Sequence, residues 1–144
     1  MDWDSMLTGM IKYSRAIRLT YDEEITKAAG ECELTRPEAD VLLFLRNNPE
    51  LNTSRDVAYY RGFSKAYVSK AIEPLLRKGL ISMRTDESDR RRQLLTITGG
   101  AEIAERLRSV QMDFWYKLTR GIPQSELDAF MSINRAMCEN ATRE

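Results

Sequence analysis

Apolar residues return along the first part of the chain at helical intervals. Trp3, Leu7, Met10, Ile17 and Tyr21 recur about every 3.5 residues, and Met6, Ile11 and Tyr13 widen the stripe. The pattern predicts a helix from Asp4 to about Gly30, with more apolar face than the edge of one small domain needs. Such a face is either plain core or a seam for a second subunit. Thr35-Arg36-Pro37-Glu38 opens a second helix as a capping box, with proline tolerated in the first turn. Its buried positions are expected to be Ala39, Val41, Leu42 and Leu45, and Asn47-Asn48-Pro49 ends it. Thr53 then caps a short helix, Ser54 to Arg61, that buries Val57 and Ala58.

The next helix starts at Ser64. At 100° per residue, Val68, Ala71, Ile72, Leu75 and Leu76 fall on one side. The other side collects Ala66, Tyr67, Ser69, Lys70, Glu73 and Arg77. One side can bury itself, and the other offers hydroxyls, a phenol and cations. Ser64 suits the N-cap, Phe63 can staple the entry, and Gly79 suits a left-handed stop. Arg61-Gly62 supplies the tight bend of a helix-turn-helix. Pro74 falls inside this helix on its outward side, so a bend rather than a break is expected.

Two strands follow, Leu80 to Arg84 and Gln93 to Thr98, joined by Thr85-Asp86-Glu87-Ser88-Asp89-Arg90-Arg91-Arg92. Thr98-Gly99-Gly100 then opens a long helix with a stripe of Ile103, Ala104, Leu107, Val110, Gln111, Phe114 and Leu118, extended by Trp115. Gly121-Ile122-Pro123 breaks it, and Ser125 starts a last helix with Leu127, Phe130, Met131, Asn134, Met137 and Cys138 on one face. The terminal helices together form an apolar stalk that one subunit covers poorly. The expected class is mainly α with a small β-hairpin (α+β).

Composition narrows the chemistry. The chain has 144 residues, the length of one domain with a modest core, and balances 22 basic against 22 acidic residues without a histidine. From Arg55 to Arg92, ten Lys and Arg face five Asp and Glu, a local +5 in a neutral protein. That asymmetry suggests a localised polyanion site. Two cysteines, Cys32 and Cys138, make no disulfide framework and point to a reducing compartment. With an acidic N-terminus and no apolar run of spanning length, a cytoplasmic protein without a membrane partner is expected. Without histidine the commonest general acid-base group is missing, and no phosphate loop, serine elbow or cysteine pair appears. No enzyme activity, metal or cofactor is therefore expected.

The hairpin tip is the sharpest signal. Three successive arginines can follow a phosphate backbone or enter a narrow minor groove. The bland alternative is a solvated loop whose arginines pair with Asp86, Glu87 and Asp89. A helix-turn-helix directly upstream favours double-stranded DNA. The helix beginning at Ser64 would then enter the major groove with Ser64, Lys65, Ala66, Tyr67, Ser69 and Lys70 nearest the bases. Ser54 and Arg55 would meet a phosphate at the start of the third helix. Arg84 leads into the tip, Asp89 would orient its neighbouring arginine, and Arg90, Arg91 or Arg92 would reach DNA. Two other readings stand beside this one: a winged-helix module that uses the same residues for protein contacts, or a thiol-based redox-sensing regulator. The first would prefer aromatic and apolar anchors where this chain has Ser and Lys. The second would rely on Cys32, which Glu31 and Glu33 place in acidic surroundings.

Helix-turn-helix, a Lys-Gly-Leu-Ile exit and a hairpin closing on Leu-Thr-x-x-Gly resemble the winged-helix domain of MarR-type transcriptional regulators. The matching residues are Asp86, Asp89, Arg90 and Arg91 in the wing, then Leu95, Thr96, Thr98 and Gly100. Where that family's wing commonly reads Asp-x-Arg-Asp-x-Arg, this chain has Ser88 in place of the first arginine. The resemblance implies a winged helix-turn-helix lobe over residues 35–98 and a dimerisation region from 1–30 with 99–144, within a single domain spanning 1–144. It implies a homodimeric regulator, a repressor in the main reading, on a pseudo-palindromic operator. It also implies a small, commonly aromatic ligand where stalk and lobe meet. Tyr13, Ile17 and Trp115 could line such a pocket or could simply be dimer core.

Overall fold

A computed structural model of the chain describes residues 2–142. The elements are α1 (Trp3–Glu31), α2 (Arg36–Asn47), α3 (Ser54–Arg61), α4 (Lys65–Arg77), β1 (Ile81–Thr85), β2 (Gln93–Ile97), α5 (Ala101–Leu118) and α6 (Gln124–Thr142). The mainly helical class with one small hairpin is the expected one. The chain divides into two compact units, Met1–Met112 and Asp113–Glu144, with the division falling inside α5.

In the first unit α2 is the centre. Both halves of its capping box form: the Thr35 hydroxyl accepts the Glu38 amide, and Glu38 accepts the Thr35 amide at 2.6 Å. Four buried positions were expected, yet every residue from Glu38 to Leu45 is buried. The reason is packing on all sides, since α1, α3, α4 and β2 each touch this helix. Ile25, Ala28 and Ala29 of α1, Val57 of α3, and Val68, Ala71 and Leu75 of α4 complete the core around it, with Ala104 and Leu107 of α5. Only the C-terminal part of α1 joins this core. Its remaining apolar residues, Trp3, Leu7, Met10, Ile11, Tyr13 and Ile17, are exposed. Gly30 lies within α1 and is not its stop. Glu33 takes the left-handed conformation there (φ 57°), and the Leu34 amide donates back to the Ala29 carbonyl.

The turn before α4 is built as expected, with Gly62 at φ 64° and Ser64 capping the Tyr67 amide. Phe63 packs ring on ring against Tyr67, centroids 4.6 Å apart. α4 continues unbroken through Pro74 and stops before Gly79 at φ 69°. In the hairpin Ile81 lies opposite Ile97 and Met83 opposite Leu95. Ile81 and Leu95 are buried, and the Leu95 amide donates to the Asn52 carbonyl at 2.7 Å. That bond fixes the wing to the segment that leads into α3. Beyond β2, Gly99 and Gly100 donate to the Gly79 and Leu80 carbonyls. A Cβ at Gly100 would lie 2.8 Å from the Leu80 oxygen, so the close approach requires glycine.

The second unit holds the end of α5 and all of α6. Gly121 at φ 77° turns the chain, and the Glu126 and Leu127 amides donate to the Pro123 carbonyl as α6 begins. No described residue of α6 is buried; Phe130, Met131, Ile133 and Met137 stand exposed. No helix among the described residues is long and apolar enough to cross a membrane.

Candidate nucleic-acid interface

The outward side of α4 carries Lys65, Ala66, Ser69 and Lys70, all exposed. Ser64 is exposed as well, with its hydroxyl oxygen engaged as the cap. Neither Lys65 nor Lys70 has a hydrogen bond or ion pair among the described residues, so both ammonium groups are free for a partner.

Tyr67 departs from the expectation. Its ring is half-buried against Phe63, and its hydroxyl donates to Oδ2 of Asp40 at 2.7 Å. Burial first, and then the adjacent carboxylate, push its pKa up to about 12. The phenol is thus already committed within the protein, and it is a weaker candidate for the bases than its lysine neighbours. Asp40 is the residue that sequence reasoning missed. It is buried at 3% exposure, accepts Nε of Arg36 at 2.9 Å, and has the Arg61 guanidinium 3.7 Å away. Arg36 in turn donates to Asp22 at 2.9 Å and to the Thr26 hydroxyl at 3.1 Å, both on α1. The available signal was an acid between Ala39 and Val41, two core positions of α2. A charge there must be paired.

The other end of α4 is held the same way. Lys78 donates to Oε1 of Glu38 at 2.8 Å and to the Glu33 carbonyl at 3.0 Å. Burial opposes the Glu38 carboxylate, but Lys78 and the Thr35 amide outweigh it and keep its pKa below the ordinary 4.5.

In the wing the carboxylates shape the turn. Asp86 accepts both the amide and the hydroxyl of Ser88, at 3.0 and 2.8 Å. Ser88, where the family resemblance puts an arginine, is therefore part of the loop's own scaffold. Asp89 accepts the backbone amide of Arg91 at 3.1 Å and, among the described residues, no guanidinium. This corrects the expectation that Asp89 orients a neighbouring arginine side chain, because an Asp side chain reaches a backbone N–H two residues on more readily. Among the described residues the one wing ion pair is Asp86 with Arg92, at 3.5 Å. The guanidinium groups of Arg84, Arg90 and Arg91 are exposed and unpaired among the described residues.

Wing and α3 meet in an open cleft of about 530 Å³ lined by Thr53, Ser54, Arg55, Asp56, Asp89, Arg91, Arg92 and Gln93. The structure thus brings the start of α3 together with the wing. Asp56 is spent on its own helix cap, accepting the Thr53 amide and hydroxyl, and Asp89 is spent on Arg91. Arg55 and Arg91 make no ion pair among the described residues and stand beside the α3 amino terminus. Three guanidinium groups face two carboxylates in the cleft lining, a net positive balance that favours an anion. Tyr59 and Tyr60, edge to face at 5.0 Å and exposed on α3, were not singled out in the sequence.

The remaining candidates lie elsewhere. Tyr13 and Ile17 are exposed on α1 in the first unit, and Trp115 is exposed on α5 in the second. Cys32 is a half-buried free thiol at the end of α1, and Cys138 an exposed one on α6.

Residues 33–92 match the model of the MarR family. Comparison of the sequence with curated proteins finds no match. Among solved structures, a MarR-family transcriptional regulator from Silicibacter pomeroyi superposes with a TM-score of 0.82 at 19% identity, over 99% of this chain and 97% of that one. A cysteine-to-serine mutant of E. coli MarR in complex with operator DNA matches at 0.69 and 17%, over 95% and 99%. BpsR of Bordetella bronchiseptica, whose DNA binding is regulated by 6-hydroxynicotinic acid, matches at 0.68 and 22%, over 90% and 98%. Segment 33–92 is thus similar to the MarR family, and the chain has the winged-helix fold of the solved MarR-family structures.

Proposed function

We propose that the protein is a transcriptional regulator that binds double-stranded DNA as a homodimer, in the cytoplasm, on a pseudo-palindromic operator. The observation that carries this reading is the set of unpaired cations on one lobe: Lys65 and Lys70 on α4, Arg84, Arg90 and Arg91 in the wing, and Arg55 at the start of α3. These six basic groups make no ion pair among the described residues, and they lie together on the elements that a winged helix presents to DNA. The operator complex of the structurally similar E. coli protein supports the same assignment. Lys65, Ala66, Ser69 and Lys70 read the major groove, Arg90 or Arg91 enters the minor groove, and Ser54 and Arg55 hold a phosphate.

Homodimerisation is supported by the uncovered apolar faces of α1 and α6. Residues 1–30 and 99–144 supply the dimer region and 35–98 the DNA lobe. Repression relieved by a small aromatic ligand is the finer form of the proposal, supported by the regulation of BpsR by 6-hydroxynicotinic acid. Selection of bound duplexes from a random pool, with sedimentation of the free protein, tests the reading. The expected result is a two-fold symmetric consensus and a dimer at micromolar concentration. A stable monomer, or a pool that never converges, overturns it.

A further inference from the structure

Resting on the reading of α4 as the helix that faces DNA, we propose that Asp40 is a positioning residue for DNA recognition. By holding the Tyr67 hydroxyl from the buried side, it fixes the rotation of α4 and with it the direction in which Lys65, Ser69 and Lys70 project. The packing of Val68, Ala71 and Leu75 on the core is not directional and would admit a small turn of the helix about its axis. A hydrogen bond to a carboxylate is directional. It acts at Tyr67, in the first turn of α4, where the expected base-reading residues lie. A side-chain end at the rim of a helix is about 5–6 Å from the axis, so a turn of about 20° moves it by about 2 Å. That displacement is enough to break a base-edge hydrogen bond.

Asp40 suits this task because it is itself immobile. It lies on the most buried helix of the fold, and Arg36 grips it at 2.9 Å. Arg36 also holds Asp22 and Thr26, so Asp22, Arg36, Asp40 and Tyr67 form one chain of bonds from α1 to α4. A buried carboxylate with two cationic neighbours is a costly way to fill space, and an apolar residue would do so at lower cost. What the carboxylate provides in addition is a fixed acceptor for the tyrosine.

The experiment measures binding to the preferred duplex and to a scrambled duplex of equal length, at several salt concentrations, for wild type, Tyr67→Phe, Asp40→Asn and the double variant. Tyr67→Phe keeps the ring that packs on Phe63 and is expected to fold. It should lower the preferred-to-scrambled affinity ratio roughly tenfold, with the salt slope and the scrambled affinity unchanged. The double variant should bind no worse than the weaker single one. In the free protein, exchange of the Tyr67 and Val68 amides, which donate to the Ser64 hydroxyl and carbonyl, should quicken for Tyr67→Phe, which the mere removal of a group that touches DNA would not cause. That readout carries the test even if Asp40→Asn fails to fold. An unchanged ratio for Tyr67→Phe, unchanged exchange, or effects that simply add overturns the positioning role while DNA binding stands. A wild-type protein that binds neither duplex overturns the DNA reading itself, and the positioning role with it.

Discussion

Glu38 and Asp40 stand two residues apart on α2, and they hold opposite ends of α4: Glu38 takes the Lys78 ammonium at 2.8 Å, and Asp40 takes the Tyr67 hydroxyl at 2.7 Å. Both carboxylates are buried, at 1% and 3% exposure. Each also belongs to α2's own framework, Glu38 through the Thr35 capping box and Asp40 through Arg36. The helix that presents lysines to the outside is thus pinned from the inside at two points.

The Glu38 pin should be visible in acid. Its folded pKa is held below the ordinary 4.5. The stabilisation is therefore complete above the unfolded value and is lost as pH falls through the folded one. Glu38→Gln is expected to cost about 1–3 kcal/mol at neutral pH. The stability gap between wild type and variant should narrow as pH falls below 4.5. Urea denaturation of both proteins across that range checks the sign. A gap that widens in acid would mean that Glu38 is not a charged partner of Lys78.

The Tyr67 pin should be visible in base. Its folded pKa is raised from 10.0 to about 12, so the contribution is complete below the unfolded value and is lost as pH rises between the two. Lysines also titrate in that range, which is why the comparison is with Tyr67→Phe in the same buffers. Wild type should be the more stable protein by about 1 kcal/mol at neutral pH, with the advantage shrinking above about pH 10. An advantage that does not depend on pH would place the hydroxyl in water and away from Asp40.

These pins mark where sequence reasoning stopped. Thr35, Thr53 and Ser64 as caps, Gly62 and Gly79 as left-handed positions, and the unbroken course of α4 past Pro74 were legible because local chemistry decides them. The basic wing was legible as a run of arginines. Partners 27 and 40 residues apart, such as Tyr67 with Asp40 and Lys78 with Glu38, leave no such local trace. Tyr67 sat on the polar side by helical angle, yet its long side chain reaches back over the flank of α4 to a buried acid. Asp89 was assigned an arginine by adjacency, where backbone geometry gave it an amide.

Gly100 closes the motif that follows the wing, and its role is steric. A Cβ there would meet the Leu80 carbonyl at 2.8 Å and Leu42 Cδ1 at 3.1 Å. Gly100→Ala should destabilise the fold by about 1–3 kcal/mol. Gly79→Ala, which has open space but a φ of 69°, should cost only about 1 kcal/mol. Thermal denaturation of the two variants ranks them, and the reverse order would show that the β2–α5 junction relaxes easily.

The wing prediction separates a groove-binding protein from one with a merely solvated loop. Arg90 and Arg91 are exposed and make no ion pair among the described residues, so replacing both with alanine should leave stability within about 0.5 kcal/mol of wild type. Binding should weaken on every duplex, preferred or scrambled, because groups that meet phosphates or the minor groove carry little sequence information. The slope of log affinity against log salt should fall by about one unit for each phosphate that is no longer neutralised. Arg92→Ala is the internal contrast. Its guanidinium already neutralises Asp86 at 3.5 Å, so its removal should change the slope less while loosening the turn that Asp86 organises. Titrations of wild type, the Arg90/Arg91 double variant and Arg92→Ala at several salt concentrations decide the matter. If the double variant keeps both affinity and slope, Arg90 and Arg91 take no part in DNA binding, and the free lysines of α4 with Arg55 of α3 must account for it.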